Sequence, residues 1–267
     1  MDQRSKADLL RRRHGGPEVL VLPNAWDAIS ARIVEAEGFS VVATTSAGIA
    51  AVLGYPDGQK IPRSEMMFLI GKIAQAVEVP VTADIEAGYD DAVQTAHEVI
   101  ASGAVGMNLE DMADDELVPL PTQFQKIQAV RAAAGAVGVP LVINARTDIF
   151  LAQHGDSATR FDRAVERLNA FYEAGADCLF APGVTDPKTI GNLVGALMGP
   201  LNVLATAGSP SIAEMKSLGV RRVSLGSGPS RVSLAALQHL VRALRDEGTF
   251  AADAIPYPQV QKLLTRN

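Results

Sequence analysis

The sequence has one cysteine, Cys178, among 267 residues, and this scarcity excludes several kinds of site. A disulfide within the chain needs two cysteines and a thiolate zinc site needs several, so neither is expected. Scarce cysteine agrees with a reducing compartment, and we expect a cytoplasmic protein. Cys178 stands inside an apolar run, which indicates a buried small side chain rather than a nucleophile.

Excess positive charge and long apolar runs are also missing. A net charge of −6 provides no basic surface for nucleic acid or an anionic membrane. No run approaches the roughly 20 apolar residues of a membrane helix, and residues 1–16 lack the apolar stretch of a secretory signal. What the chain does have is 48% hydrophobic and 20% charged residues, enough to bury a core. This composition indicates a globular protein that acts on a small molecule, with no nucleic-acid and no membrane partner.

A recurring joint links predicted helices to predicted strands. An amphipathic stretch ends in a glycine, which favours the left-handed cap conformation, and a short apolar run follows at once. The glycines are Gly38, Gly103, Gly175 and Gly219. Proline ends the helix in the other joints, at Pro80, Pro140 and Pro200. Together with the opening run at 19–22, these seven joints predict eight strands separated by helices.

The strand runs are apolar on successive residues, as in a parallel sheet covered on both faces. Eight βα units in about 250 residues have the size of a (β/α)₈ barrel. We therefore predict an α/β fold, a single (β/α)₈ TIM-type barrel over residues 1–267 with an N-terminal helix and a C-terminal helical extension. A doubly wound open sheet is the alternative, but residues 23–27 form no glycine-rich dinucleotide loop.

Acidic side chains stand at the carboxyl ends of adjacent predicted strands, where barrel enzymes place their chemistry. Asp84 and Glu86 share one face at the end of the third strand, and Glu110 ends the fourth. Converging carboxylates repel one another unless a cation is present, and an all-oxygen set suits Mg²⁺, or Mn²⁺ in its place. Arg146 ends the fifth strand on the same rim. These residues predict a metal site beside a fixed positive charge.

The histidines do not contribute to this rim. His97 and His239 fall in predicted helices, and His14 and His154 fall in predicted loops. Their positions argue against a histidine metal centre and against a Ser-His-Asp triad.

Three other strand ends carry candidate binding groups. Small hydroxyl residues and backbone N–H groups at 44–48 suit a carboxylate or a phosphate. The turn at 226–229, after the last strand, fits either a phosphate site or an ordinary tight turn. Trp26, after the first strand, either lines the pocket or plugs an end of the barrel.

Six motifs occur in order at these strand ends and in the loops after them. They are PNAWD at 23–27, TSAG at 45–48, GYPD at 54–57, DIEAGY at 84–89, NLED at 108–111 and NARTD at 144–148. Over roughly residues 17–245, this combination resembles the isocitrate lyase/phosphoenolpyruvate mutase superfamily. The resemblance implies a Mg²⁺-dependent barrel that acts on 2-oxo or 2-hydroxy acids and breaks or forms a C–C or P–C bond next to an enolate.

The resemblance also implies roles for individual residues. Asp84 would bind Mg²⁺ directly, Glu86 and Glu110 would hold the metal through water, and Arg146 would contact the substrate's carboxylate and enolate oxygens. The substrate-binding residues implied are Trp26, Thr45, Ser46, Ala47, Asn108 and Arg146, and the catalytic residues are Arg146, Asp57 and Glu110. A homodimer or homotetramer that swaps the last barrel helix between subunits is implied as well.

The stretch 112–122 departs from the superfamily's pattern. The lyases have a Lys-Lys/Arg-Cys-Gly-His loop here and the phosphonate enzymes a loop with lysine, but this stretch is acidic and has no cysteine, lysine or histidine. An acidic loop repels a phosphonate. We therefore favour a Mg²⁺-dependent lyase that acts on a small 2-oxo or 2-hydroxy carboxylic acid by C–C cleavage or decarboxylation through an enolate.

Two alternatives stay open. One is a C–P bond mutase or hydrolase of the phosphonopyruvate type, and the other is a non-catalytic protein that binds a 2-oxo acid. The general acid is also open, among Tyr89, Asp57, Thr122 and a metal-bound water.

Overall fold

The structure, a computed structural model, describes residues 1–113, 116–249 and 253–265. Strands and helices alternate along most of the chain. Among the described helices, none combines the length and the apolar character that crossing a membrane requires.

The strands are short, as expected for a barrel wall. They are β1 (Leu20–Leu22), β2 (Asn24–Ala25), β3 (Val42–Thr44), β4 (Val81–Asp84), β5 (Gly106–Glu110), β6 (Met112–Ala113), β7 (Glu116–Leu117), β8 (Val142–Arg146), β9 (Cys178–Phe180), β10 (Leu201–Leu204) and β11 (Arg222–Ser224). All except β6 and β7 belong to one parallel sheet, in the order β1-β11-β10-β9-β8-β5-β4-β3-β2. The pair β6 and β7 forms a separate antiparallel hairpin.

The sheet closes through its first segment. β1 pairs with β11 and β2 pairs with β3, yet only Pro23 separates β1 from β2. Proline has no N–H to donate to a neighbouring strand, so it splits one strand into two pieces. Counted as one strand, the two pieces complete the predicted barrel of eight, and the α/β (β/α)₈ fold is confirmed.

Helices follow the strands and cover the sheet. They are α1 (Gln3–Gly15), α2 (Ala28–Ala36), α3 (Ser46–Val52), α4 (Arg63–Ala76), α5 (Ala92–Ala101), α6 (Leu120–Val137), α7 (Arg160–Glu173), α8 (Pro187–Ala196), α9 (Ile212–Ser217), α10 (Gly228–Glu247) and α11 (Tyr257–Leu264). Glycine ends several of them as predicted, and Gly103 and Gly175 have φ of 94° and 107°, in the left-handed region.

Helix α1 covers the amino-terminal end of the barrel. Its Ala7 and Leu10 are fully buried against apolar residues at the starts of the strands, including Leu20, Val105 and Val142. The expectation of a loop at His14 is wrong, because α1 continues to Gly15. The His14 ring is buried, and its Nδ1 donates to the Leu10 carbonyl oxygen at 2.8 Å.

The register of three central strands positions the polar residues at the opposite end. Asp84 of β4 lies beside Asn108 of β5, and Asn108 lies beside Asn144 of β8. One pleat further, Glu110 lies beside Arg146. Because the strands are parallel, their carboxyl ends form one rim, and these side chains face the same opening.

Candidate active site

Two cavities that share a wall occupy the carboxyl-terminal mouth of the barrel. The outer one has a volume of about 570 Å³ and the inner one about 150 Å³, and Ser46, Asp57 and Arg146 line both. The outer cavity is also lined by Gly58, Gln59, Lys60, Glu86, Glu110, Met112, Ala113 and Asp148. The inner one is also lined by Asn24, Thr45, Ala47, Asp84, Asn108, Leu151, Phe180, Pro182, Leu204, Ser224, Gly226 and Ser227. The outer cavity is thus lined mainly by charged and polar residues, and the smaller inner cavity beside it has a partly apolar wall.

Asp84 is held in one orientation at the floor of the inner cavity. Its Oδ2 accepts hydrogen bonds from the backbone N of Ser46 at 3.1 Å and from Ser46 Oγ at 3.0 Å. Its Oδ1 accepts from Asn108 Nδ2 at 3.1 Å. The side chain is only 8% exposed, so these donors replace the water that the carboxylate would otherwise bind.

Glu86 lies in a strained position beside Asp84. Its φ is 55°, which a residue with a side chain adopts at a cost of about 1–3 kcal/mol. The backbone N of Gln59 donates to Oε2, but Oε1 is buried and has no hydrogen-bond partner. Burial and the neighbouring Asp84 and Asp57 raise the pKa of Glu86 to about 7. A buried carboxylate oxygen without a donor fits a position where a cation or its water shell would bind.

Arg146 is fixed by two carboxylates on the other side of the mouth. Its Nε and Nη2 donate to Asp148 Oδ1 and Oδ2 at 2.5 and 2.8 Å, and its Nη1 lies 2.9 Å from Glu110 Oε2. Burial alone would lower the pKa of Arg146, but Glu110 and Asp148 outweigh it and raise the pKa. Burial raises the pKa of Glu110 despite the neighbouring guanidinium. The guanidinium is thus a permanent positive charge in a fixed plane.

The carboxylates do not form one direct ligand shell. Within the described ranges, no group of three His, Cys, Asp or Glu side chains converges tightly enough to hold a metal ion by itself. Glu110 turns toward Arg146, whereas Glu86 turns toward the loop at Gln59. The structure therefore does not bring Asp84, Glu86 and Glu110 together as three direct ligands, and a water-mediated role for the two glutamates stays a prediction.

The residues predicted to bind substrate divide into two groups. Thr45, Ser46, Ala47 and Asn108 line the inner cavity, where Thr45 caps α3 by accepting from the Gly48 backbone N at 3.4 Å. Trp26 lines neither cavity and packs instead against the buried core. A role for Trp26 in substrate binding stays a prediction.

The candidate general acids also separate in space. Asp57 lines both cavities, but neither Tyr89 nor Thr122 lines either of them. The Tyr89 hydroxyl is buried without a partner, and Thr122 is exposed on α6. The position of Asp57 therefore favours it over Tyr89 and Thr122 as the general acid.

The hairpin of β6 and β7 is the first half of the acidic stretch noted in the sequence. Met112 and Ala113 line the outer cavity, and the carboxylate of Glu116 lies 3.5 Å from His154 Nε2. Asp114 and Asp115, which belong to the same acidic prediction, lie outside the described residues. The described part of the hairpin adds no cation to the mouth.

Several mouth residues were missed by the sequence reasoning. Lys60, in the loop before α4, lines the outer cavity. Asn24 holds the turn after β11, because its Oδ1 accepts a hydrogen bond from the backbone N of Gly226 at 2.8 Å. Asp148 clamps Arg146 although the sequence reasoning gave it no role. Asp148 could have been found, because it follows Arg146 by two residues within the motif NARTD, but a lone lysine in a loop gives no such signal.

A parallel (β/α)₈ barrel with carboxylates and an arginine at its carboxyl-terminal mouth has the layout of the (β/α)₈ barrel enzymes, which place their active sites at this end. The model of the phosphoenolpyruvate phosphomutase family matches residues 10–245, and the chain belongs to this family. It is a lyase-like enzyme of the isocitrate lyase/phosphoenolpyruvate mutase superfamily.

Three relatives illustrate the similarity. An uncharacterized protein of Mycobacterium tuberculosis is 35% identical over 246 residues, covering 91% of each chain. The oxaloacetate decarboxylase of a Bradyrhizobium species is 30% identical over 257 residues, covering 92% of this chain and 87% of that one. The structure of oxaloacetate acetylhydrolase in complex with the product oxalate is 26% identical, has a TM-score of 0.88, and covers 99% of this chain and 95% of that one.

Proposed function

We propose that this protein is a Mg²⁺-dependent lyase that cleaves a C–C bond in, or decarboxylates, a small 2-oxo or 2-hydroxy carboxylic acid through an enolate. One observation carries the proposal: buried Asp84 and Arg146 line the same inner pocket of about 150 Å³, and buried Glu86 lies with Arg146 on the wall of the outer cavity. Relatives named for reactions of oxaloacetate, and a similar structure with oxalate, support this substrate class.

The residues present fit a divalent cation. Asp84 offers a well-oriented carboxylate, and the unpartnered Oε1 of Glu86 offers a second oxygen beside it. Oxygen ligands of this kind suit Mg²⁺, with Mn²⁺ in its place. When bound, the cation would supply Lewis-acid stabilisation of negative charge on substrate oxygen.

The chain's own residues bind and orient the acid. Arg146 provides fixed positive charge where an enolate oxygen would develop, and its clamp by Asp148 means that no reorganisation is needed during the reaction. Asp57 reaches both cavities and is the side chain placed to move a proton. The apolar side chains of Leu151, Phe180 and Leu204 limit water in the inner pocket.

A C–P bond mutase or hydrolase is the second candidate, and Lys60 is the observation that favours it. The acidic hairpin argues against a phosphonate, but Lys60 and Arg146 both line the outer cavity and would attract one. Phosphorus NMR with phosphonopyruvate separates the two candidates, because we expect little turnover of that compound.

A panel of 2-oxo and 2-hydroxy acids with Mg²⁺, followed by mass spectrometry, tests the lyase directly. Calorimetry of Mg²⁺ binding to Asp84→Ala, with Asp84→Asn as the matched control of size, tests the metal site. We expect Asp84→Ala to abolish Mg²⁺ binding and Asp84→Asn to weaken it strongly. Full Mg²⁺ affinity in Asp84→Ala would refute the site, and tight Mg²⁺-dependent binding of the acids without product would favour a non-catalytic binding protein.

We further propose a cytoplasmic homodimer or homotetramer in which α10 packs on a neighbouring subunit. Five apolar side chains of this helix are more than half exposed, namely Val232, Leu234, Leu237, Val241 and Leu244. Continuous apolar surface of this kind supports a protein interface. Light scattering at micromolar concentration should give a dimer or tetramer, and Leu237→Glu with Val241→Glu should dissociate it; a wild-type monomer would contradict the proposal.

A further inference from the structure

A buried ion pair lies behind the mouth and lines neither cavity. Asp111, directly after β5, is fully buried, and its Oδ2 accepts from Arg167 Nε of α7 at 2.6 Å. Arg167 is itself buried, and its guanidinium stacks over the Phe171 ring at 5.6 Å. A buried charge pair needs good geometry to offset its desolvation. The side-chain hydrogen bonds that this pair makes to other residues lead to Asp148 and to Val118.

The first contact leads to Arg146. The other carboxylate oxygen of Asp111, Oδ1, accepts from the backbone N of Asp148 at 3.0 Å. Asp148 in turn holds Arg146 through two parallel hydrogen bonds. The pair therefore fixes the backbone of the residue that fixes the plane of the guanidinium.

The second contact leads to the base of the β6–β7 hairpin. Arg167 Nη2 donates to the carbonyl oxygen of Val118 at 2.7 Å, and the backbone N of Val118 donates to the carbonyl oxygen of Asp111 at 2.8 Å. Both chain ends of the hairpin are tied to one side chain. Met112 and Ala113, which follow Asp111, are thereby held at the outer cavity.

We infer that Arg167 is a positioning residue, which acts through Asp111 and Asp148 to set the orientation of Arg146 and the base of the hairpin. The inference deepens the proposed lyase function and rests on it for the role of Arg146. An unclamped arginine side chain samples several rotamers, and freezing it at the moment of binding costs affinity. Arg167 removes this cost before the acid binds.

The Nε–H resonance of Arg146 in ¹⁵N NMR spectra of the ligand-free protein tests the inference, with Arg146→Lys to assign the signal. In the wild type we expect a displaced, slowly exchanging resonance. In Arg167→Met it should move to the position of exposed arginines or exchange away, while the Trp26 indole signal reports an intact fold. Arg167→Lys, which keeps a cation beside Asp111, should restore much of the wild-type signal.

Two further variants keep the result decisive. Asp111→Ala combined with Arg167→Met leaves no unpaired buried charge, so this variant should fold even where Arg167→Met does not. Arg163→Met is the matched control, because Arg163 lies on the same helix but contacts the loop at His154. An unchanged Arg146 resonance in the folded Arg167→Met or in the double variant would overturn the inference.

Calorimetry with oxalate and Mg²⁺ separates this inference from the proposed function. We expect Arg167→Met to weaken oxalate binding by about tenfold or more, and Arg163→Met to leave it unchanged. If the wild type bound no oxalate, the proposed function would be in doubt, but the Arg146 resonance would still decide whether Arg167 positions it. Equal oxalate affinity in wild type and Arg167→Met would count against the inference.

Discussion

The two ends of the barrel each bury an arginine, but they surround it differently. At the mouth, Arg146 contacts the carboxylates of Glu110 and Asp148. Near the amino-terminal end, Arg222 of β11 is 1% exposed and, among the described residues, has no carboxylate within ion-pair distance. Its Nη2 donates to Asn108 Oδ1 at 3.3 Å, and its Nη1 lies 3.4 Å from His14 Nε2.

The difference shows which charge each end tolerates. Burial and neighbouring carboxylates raise the pKa of Glu86 to about 7, so the mouth disfavours its own negative charge. Burial and the adjacent Arg222 lower the pKa of His14 to about 4, so the base keeps a neutral imidazole. The mouth thus gathers carboxylates whose negative charge burial disfavours, whereas the base holds a neutral imidazole beside an arginine whose buried Nε has no hydrogen-bond partner among the described residues.

Replacing Arg146 should have the largest effect on this contrast. Arg146→Met leaves Glu110 and Asp148 buried without a counter-charge, at a cost of about 3–5 kcal/mol in the free energy of unfolding. Activity on the best acid of the panel should fall by about 10³-fold. Urea denaturation and steady-state kinetics measure the two effects.

Arg146→Lys is the matched control for charge. It should recover part of the stability but little of the activity, because lysine cannot bond Asp148 through two parallel hydrogen bonds. Full activity in Arg146→Lys would mean that the mouth needs only a positive charge and not a fixed plane.

Glu86→Gln should reveal the unfavourable charge at the mouth in the metal-free protein. The pKa of Glu86 is higher in the folded state than in the unfolded state, so its stabilising contribution is present below pH 4.5 and lost as the pH rises through about 7. Between pH 4.5 and 7, the free energy of unfolding of the wild type should therefore fall by about 3 kcal/mol relative to that of Glu86→Gln. Urea denaturation in EDTA measures the difference, and a gap that does not change with pH would show that Glu86 is not desolvated.

His14→Gln should give the opposite pH dependence at the base. The pKa of His14 is lower in the folded state, so the wild type loses stability relative to the variant as the pH falls below 6.5. As the pH falls from 6.5 to 5, the free energy of unfolding of the wild type should decrease by about 2 kcal/mol relative to that of His14→Gln. Denaturation of both proteins at pH 7.5, 6 and 5 measures it, and parallel curves would place a charged imidazole in the folded state.

The sequence predicted the framework of both ends better than their contacts. Strand order, the closed barrel and the carboxylates at the rim follow from apolar runs, helix caps and the place where each strand ends. Pro23 is visible in the sequence, but its division of one strand into β1 and β2 depends on the pairing of each piece with a different neighbour.

The contacts depend on which rotamer each side chain adopts across strands distant in sequence. Glu110 was predicted to hold a metal through water, and this stays a prediction, but its ion pair with Arg146, its neighbour in the register, was not foreseen. His14 was predicted in a loop because nothing in the sequence shows that α1 packs over the barrel end. For Trp26 the sequence left two positions open, a pocket wall or a plug at a barrel end, and the structure shows its side chain packed against the core.

Arg222→Met should have the smallest effect, and it is the sharpest test of the contrast between the two arginines. Burial lowers the pKa of Arg222 to about 10, so the folded protein already carries a cost for this charge. Methionine leaves no carboxylate unpaired, and Asn144 Nδ2 still donates to Asn108 Oδ1 at 2.7 Å. We therefore expect a change of about 1 kcal/mol or less in the free energy of unfolding, or even a gain, measured by urea denaturation beside Arg146→Met. A loss as large as that of Arg146→Met would show that the base depends on its cation as much as the mouth does.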